Sequence, residues 1–143
     1  MYEHILVPTD GSSGTAQALA HALAIATAHD STIHVLYVYD KRHYMAAPEE
    51  TTAEIRRSLD EEAERAIDDA RIRIEEEGVS CLTSTEEGIP HKSIVEYATG
   101  EDIDLIVMGT HGKTGREQIV TLGSTTERVV KNGSVPVLVV ELD

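Results

Sequence analysis

Asp104-Leu105-Ile106-Val107-Met108 runs directly into Gly109-Thr110-His111-Gly112-Lys113-Thr114-Gly115. The apolar run is too short for a helix and reads as a strand covered on both faces. The three glycines that follow let the backbone take positive φ and approach a ligand closely. Working outward, apolar runs and helical stretches alternate through the chain. Residues 5–7, ending at Pro8, and residues 32–39 (TIHVLYVY) read as strands one and two. Residues 15–29 are Ala-rich, with Leu19, Leu23 and Ala26 on one helical face. Residues 49–77 carry Ile55, Leu59, Ala63, Ala66, Ala70 and Ile74 at helical spacing and stop at Gly78, a good C′ residue. Residues 79–85 form a more polar strand three, and residues 90–99 a helix with Pro90 in an N1-type position. After strand four at 104–108, residues 124–131 are helical up to Asn132-Gly133, and residues 135–140 (VPVLVV) are strand five.

Five strands alternating with four helices predict right-handed crossovers and a doubly wound, parallel α/β sheet. Thr83, Ser84 and Thr85 make strand three polar enough for an edge. The predicted order is 3-2-1-4-5. Strands one and four then meet at the switch point, where open α/β sheets place their ligand crevice. The residues that matter are therefore Pro8-Thr9-Asp10-Gly11 and the loop after Met108. Residues 1–143 read as one domain without linker or repeat.

The charge balance narrows the partners. Twenty-six acids against 12 bases give a net charge of −14, which repels phosphodiester backbones and anionic lipid. Neither nucleic acid nor membrane is expected as a partner. Few of the bases are lysine, a bias like that of proteins adapted to a salty cytosol; a plainly acidic, soluble protein is the alternative. One cysteine, Cys81, excludes an internal disulfide. The opening MYEHILVPTDG has no basic segment before an apolar one, so a cytoplasmic location is expected.

Past the glycine loop comes Gly123-Ser124-Thr125-Thr126-Glu127. Ser124 and Glu127 have capping-box spacing, which places a helix start there. A helix start offers free N–H groups and a positive dipole end, both suited to phosphate, and Lys113 and Arg116 add positive charge. The seven histidines are scattered, with no H-x-x-x-H pair and no cysteine partner, so no metal site is expected. Cys81 reads as a small packing residue. Asp10 suits a capping or ribose-bonding role better than a catalytic one. No placed water activator and no dedicated general base is visible, so catalytic residues are not assigned.

These motifs together resemble the universal stress protein family. Its ATP-binding members carry G-x2-G-x9-G-[ST] after strand four. Here Gly109-x2-Gly112 is followed by Gly123-Ser124, with ten residues in the second interval rather than nine. The likeness extends to HILVPTDGS, to Gly88-Ile89-Pro90, to DLIVMGTHG and to VPVLVV, nearly the whole chain. The resemblance implies a Rossmann-like sandwich of the adenine nucleotide alpha hydrolase type. It implies ATP with Mg2+ as ligand, and at most slow ATP hydrolysis. Carried over by position, Pro8, Thr9 and Asp10 lie on the nucleoside side, Val38 at the adenine, and Met108 and Gly109 under ribose and phosphates. Gly112, Gly123, Ser124 and Thr125 would cradle phosphate. A nucleotide-dependent stress or signalling module is implied; a nucleotide-free dimeric adaptor for a protein partner is the alternative. A homodimer through strand five (Val135, Val137, Leu138, Val139, Val140) is expected, because that apolar edge needs cover. Two other readings of the fold fit less well. A flavodoxin-type carrier would stack its flavin on aromatics, and the chain has no Trp or Phe. A phospho-acceptor receiver needs paired acids after strand one, where Asp10 stands alone.

Overall fold

Parallel strands need a crossover of about a dozen residues or more, usually a helix, and the apolar runs are spaced accordingly. The computed structural model describes residues 1–12, 14–43, 48–110 and 122–142. The elements are β1 (His4–Thr9), α1 (Gly14–His29), β2 (Thr32–Asp40), α2 (Glu49–Glu76), β3 (Ser80–Gly88), α3 (Pro90–Gly100), β4 (Leu105–Gly109), α4 (Ser124–Asn132) and β5 (Val137–Val140). The strands form one parallel sheet in the order β3-β2-β1-β4-β5, as the sequence predicts.

Alternation along each strand divides the core between two faces. Ile5, Val7, Ile33, Val35, Leu105 and Val107 pack under Ala18, Leu19, Ala22 and Ala26 of α1 and Ala70 and Ile74 of α2. The alanines explain how α1 can lie close on the sheet. Leu6, Leu36, Ile106 and Met108 face the other way, against Ile94 and Ala98 of α3 and Val129 of α4. Tyr37 and Tyr39 extend the first face beneath Leu59, Ala63 and Ile67 of α2. Full burial of a leucine or isoleucine contributes about 1.5–3 kcal/mol, so the central residues of both faces carry the fold.

Helix ends follow local chemistry. Gly78 takes φ +73° beyond α2 and donates its N–H to Glu75 O at 3.0 Å. Asp30 and Asp102 adopt the same left-handed conformation after α1 and α3, at φ 56° and 52°. The next amides, of Ser31 and Ile103, then reach back to Ala26 O and Ala98 O. Aspartate tolerates this conformation better than most residues, a signal weaker in sequence than glycine. At the amino ends of the strands, the Asp104 carboxylate accepts the N–H groups of Glu3 and His4 at 2.9 Å each. Beside it, buried His34 sits between His4 (Nδ1 to Nε2, 3.1 Å) and the Tyr97 hydroxyl (2.8 Å).

Some boundaries shift. β1 continues through Pro8 to Thr9, β3 continues to Gly88, and β5 begins at Val137. Val135 thus lies outside strand five and packs instead against the α3/α4 face of the core. Among the described residues no helix is long and apolar enough to cross a membrane.

Candidate functional site

Strand β1 pairs with β2 along its whole length but with β4 only at Ile5 and Leu6. Beyond Leu6 no further register pair joins the two central strands. Pro8 lies in that stretch, where it has no N–H to give to a ladder. The switch point, where open α/β sheets place a ligand crevice, lies at these strand ends.

On the β1 side, Asp10 Oδ1 accepts the Ser12 N–H at 2.9 Å, which tightens the turn into α1. Gly11 occupies φ +84° at the centre of that turn. Thr9 shares a 2.8 Å hydrogen bond with Thr15 and accepts the Gly11 N–H at 3.1 Å. Its buried side chain therefore serves the start of α1. The acids of α2 are not all on its solvated face. Glu62 is half-buried, and a Cβ on Gly11 would lie 2.7 Å from its Oε1. Burial, and then the charges of Glu62 and Asp10 and the neighbouring Tyr39, push the Tyr37 hydroxyl up to about 12. The α1/α2 side of the crevice is thus acidic.

Val38 and Met108 point to the opposite side. Both pack with the α3/α4 face of the core, Val38 only partly covered. Gly109 ends β4, and its carbonyl accepts the Thr126 hydroxyl at 2.8 Å. The Gly123 N–H donates to Thr110 O. Two hydrogen bonds therefore bring the start of α4 against the end of β4, whatever the length of the chain between them. The residue before the helix is Gly123, with no side-chain cap, and Ser124 is the first helical residue. The capping box does not form, because the cap position falls on Gly123, which has no side chain, and Ser124 is already inside the helix; Glu127 pairs with Lys131 at 2.8 Å. Uncapped by a side chain, the first amides of α4 keep the capacity to bind an anion. Ser124 is exposed and Thr125 half-buried at this start.

The chain after β5 completes the wall. Thr110 N–H donates to Val140 O at 3.0 Å, and Leu142 lays its side chain on Gly14 and Gly109. A Cβ on Gly109 would come within 2.7 Å of Leu142 Cδ1. The space beside Gly109 on the α1 side is held by this leucine, which nothing in the glycine pattern announces. Gly112, His111, Lys113 and Arg116 lie outside the described residues. No group of three metal-binding side chains occurs among the described residues. Burial pushes the Cys81 thiol pKa upward, which keeps it a packing residue.

Comparison with known proteins agrees with this architecture. The universal stress protein family matches residues 1–141. Universal stress protein MJ0531 of Methanocaldococcus jannaschii is 44% identical over 142 residues, 99% of this chain and 83% of that protein. The solved structure of MJ0577 superposes with a TM-score of 0.88 at 38% identity, covering 100% of this chain and 98% of the other. The universal stress protein UspA from Lactobacillus plantarum follows at 0.82 and 34%, covering 97% of each chain.

Proposed function

The chain belongs to the universal stress protein family, and we propose that it binds ATP at the β1/β4 switch point as a nucleotide-dependent stress or signalling module. The observation that carries this reading is the tethering of the uncapped start of α4 to the end of β4, at the strand ends beyond the last β1–β4 register pair. An uncapped helix start over a strand-end crevice suits a phosphate chain. Val38 and Met108 offer an apolar surface for a base on the same side of the sheet. Gly123, Ser124 and Thr125 would hold phosphate, and the motif adds Gly112, which lies outside the described residues. Pro8 and Asp10 would border the nucleoside, with Thr9 contributing backbone only. Universal stress family structures containing cAMP and AMP share the fold at 24% and 19% identity. At that distance they show the fold alone, and the reading rests on the motif and its geometry.

Mg2+ would be held chiefly by the nucleotide's own phosphates and would neutralise their charge near an acidic chain. The expected affinity is micromolar, about −8 kcal/mol. Calorimetry with ATP and magnesium tests it. Absence of heat and of a thermal shift at millimolar nucleotide would overturn nucleotide binding and leave the family's adaptor role as the function. We further propose that two copies pair through β5 and that the protein works in the cytoplasm.

A further inference from the structure

We propose that Thr126 and Leu142 are positioning residues for the phosphate side of the crevice: they grip Gly109 from opposite faces of the sheet and so aim the first amides of α4. The proposal rests on the nucleotide reading and names the side chains that set its geometry. Neither residue is charged, and neither would touch the ligand through its side chain.

Helix α4 has nine residues, and its buried side chains are Thr126 and Val129. Three positions apart, they share one face of the helix. Val129 is fully buried against the α3/α4 side of the sheet. An apolar contact has no direction, so Val129 alone would leave the helix free to roll or slide. Thr126 removes that freedom. Its side chain is buried, and its hydroxyl donates to Gly109 O at 2.8 Å, the ordinary length for such a bond. A threonine inside a helix commonly bonds a carbonyl of its own preceding turn; this one leaves the helix for the end of β4. The Gly123 N–H, turned to Thr110 O, is the second tie. The first intrahelical bond runs from Glu127 N–H to Gly123 O at 3.0 Å, so the amides of Ser124, Thr125 and Thr126 precede the ladder. The two ties set where those amides point. Hydrogen bonds weaken steeply with angle, so a small roll of α4 would spoil their convergence on a phosphate.

A tie is only as firm as its anchor. On the opposite face Leu142 lies against Gly109, packed with the α1 side of the core. A Cβ on Gly109 would lie 2.7 Å from Leu142 Cδ1, and a Cβ on Gly14 only 2.5 Å from it. The leucine therefore fills the space between the start of α1 and the end of β4. The Thr110 N–H, bonded to Val140 O at 3.0 Å, holds the segment that carries it. Gly109 is thus fixed between a hydrogen bond on the α4 face and a packed side chain on the α1 face. Loss of either lets its peptide shift, and the start of α4 shifts with it.

The test compares the natural chain with Thr126→Val, Thr126→Ser and Leu142→Ala. Calorimetry measures the affinity for ATP with magnesium and for adenosine, and hydrogen exchange by NMR follows the Gly123 amide without ligand. Thr126→Val is expected to weaken ATP about tenfold, the scale of one hydrogen bond lost to a charged group, with adenosine changed less than about twofold. The Gly123 amide should exchange faster. Thr126→Ser keeps the hydroxyl and should restore both. Leu142→Ala should show the same selective loss of ATP, and it carries the test if Thr126→Val does not fold. A selective loss in one variant alone assigns the role to that residue and removes the other. Equal losses of ATP and adenosine, or unchanged ATP affinity in both variants, would show that the two residues serve the fold alone, and the nucleotide reading would survive. If the natural chain binds no ATP, the nucleotide reading fails. Faster Gly123 exchange in the variants then leaves the clamp standing, and unchanged exchange removes it too.

Discussion

A methyl group added to Gly109 would sit 2.7 Å from Leu142 Cδ1 and 3.0 Å from its Cγ. Both distances are below ordinary van der Waals contact. Gly109→Ala is therefore expected to cost about 1–2 kcal/mol by overpacking. Leu142→Ala in the same chain should relieve it, with a coupling above about 0.5 kcal/mol in a double-mutant cycle by urea unfolding. Additive costs would show that Leu142 is not what the glycine accommodates. If the Gly109→Ala protein instead keeps its stability and loses ATP, the glycine serves the ligand directly. The sequence shows that Gly109 needs space but not who fills it, because Leu142 lies far along the chain and has no periodic signature. The same limit applies at Ser124 and Glu127. Their spacing marks the helix start, but the cap falls one residue earlier, on Gly123, so Ser124 is inside the helix and the box has no capping side chain. Gly11 and Glu62 meet only because α2 folds back over the first turn, so the spacing within α2 cannot tell Glu62 from its solvated neighbours.

Strands and helices are more legible than contacts, since each rests on many residues. Periodicity finds the five strands and four α-helices of the described residues, and the errors fall at ends, where one hydrogen bond decides. Pro8 shows why: a proline reads as a stop, but β1 continues because its pairing with β2 runs on through Pro8 to Thr9. What periodicity does not show is how β1, β2 and α3 are tied at the amino edge of the sheet. That tie is His34, buried between His4 and Tyr97. Burial, and then His4, lower its pKa from the ordinary 6.5. The unfolded chain thus binds a proton that the folded chain refuses. Stability is complete above about pH 6.5 and falls as the pH drops from there toward the lowered folded value. His34→Gln, which keeps a polar partner for Tyr97 and does not titrate, should flatten the loss between pH 7 and 5. Urea unfolding at several pH values reads the difference between the two proteins. Identical slopes would place the acid sensitivity elsewhere.

At the scale of the whole molecule, charge and the open edge of the sheet govern behaviour. Twenty-six acids on 143 residues repel one another, and salt shortens that repulsion to about 3 Å at 1 M. The melting temperature is expected to rise from low salt to molar KCl, and a flat or falling curve would remove the salt-adapted reading. Strand β5 forms one edge of the sheet, beside β4. Val137, Leu138 and Val139 are only half-buried there, although every one of them is aliphatic. An apolar edge with unpaired N–H and C=O groups invites pairing, and soluble proteins cover it. Pro136 lacks an N–H, and its carbonyl already accepts from Ile106 on the inner side, so it only partly blunts the outer edge. A two-fold axis would pair β5 antiparallel with its copy and satisfy the remaining groups. Val139 lies opposite Met108 in the ladder, on the sheet face that carries α3 and α4. Val139→Lys would bring a charge from each copy into that contact, at a cost of several kcal/mol if unpaired. Light scattering at tens of micromolar should therefore give a dimer for the natural chain and a monomer of unchanged fold for Val139→Lys. A monomer in both cases, or a dimer that tolerates the lysine, would show that the edge is protected by its own short length and the subunits meet elsewhere, if they meet at all.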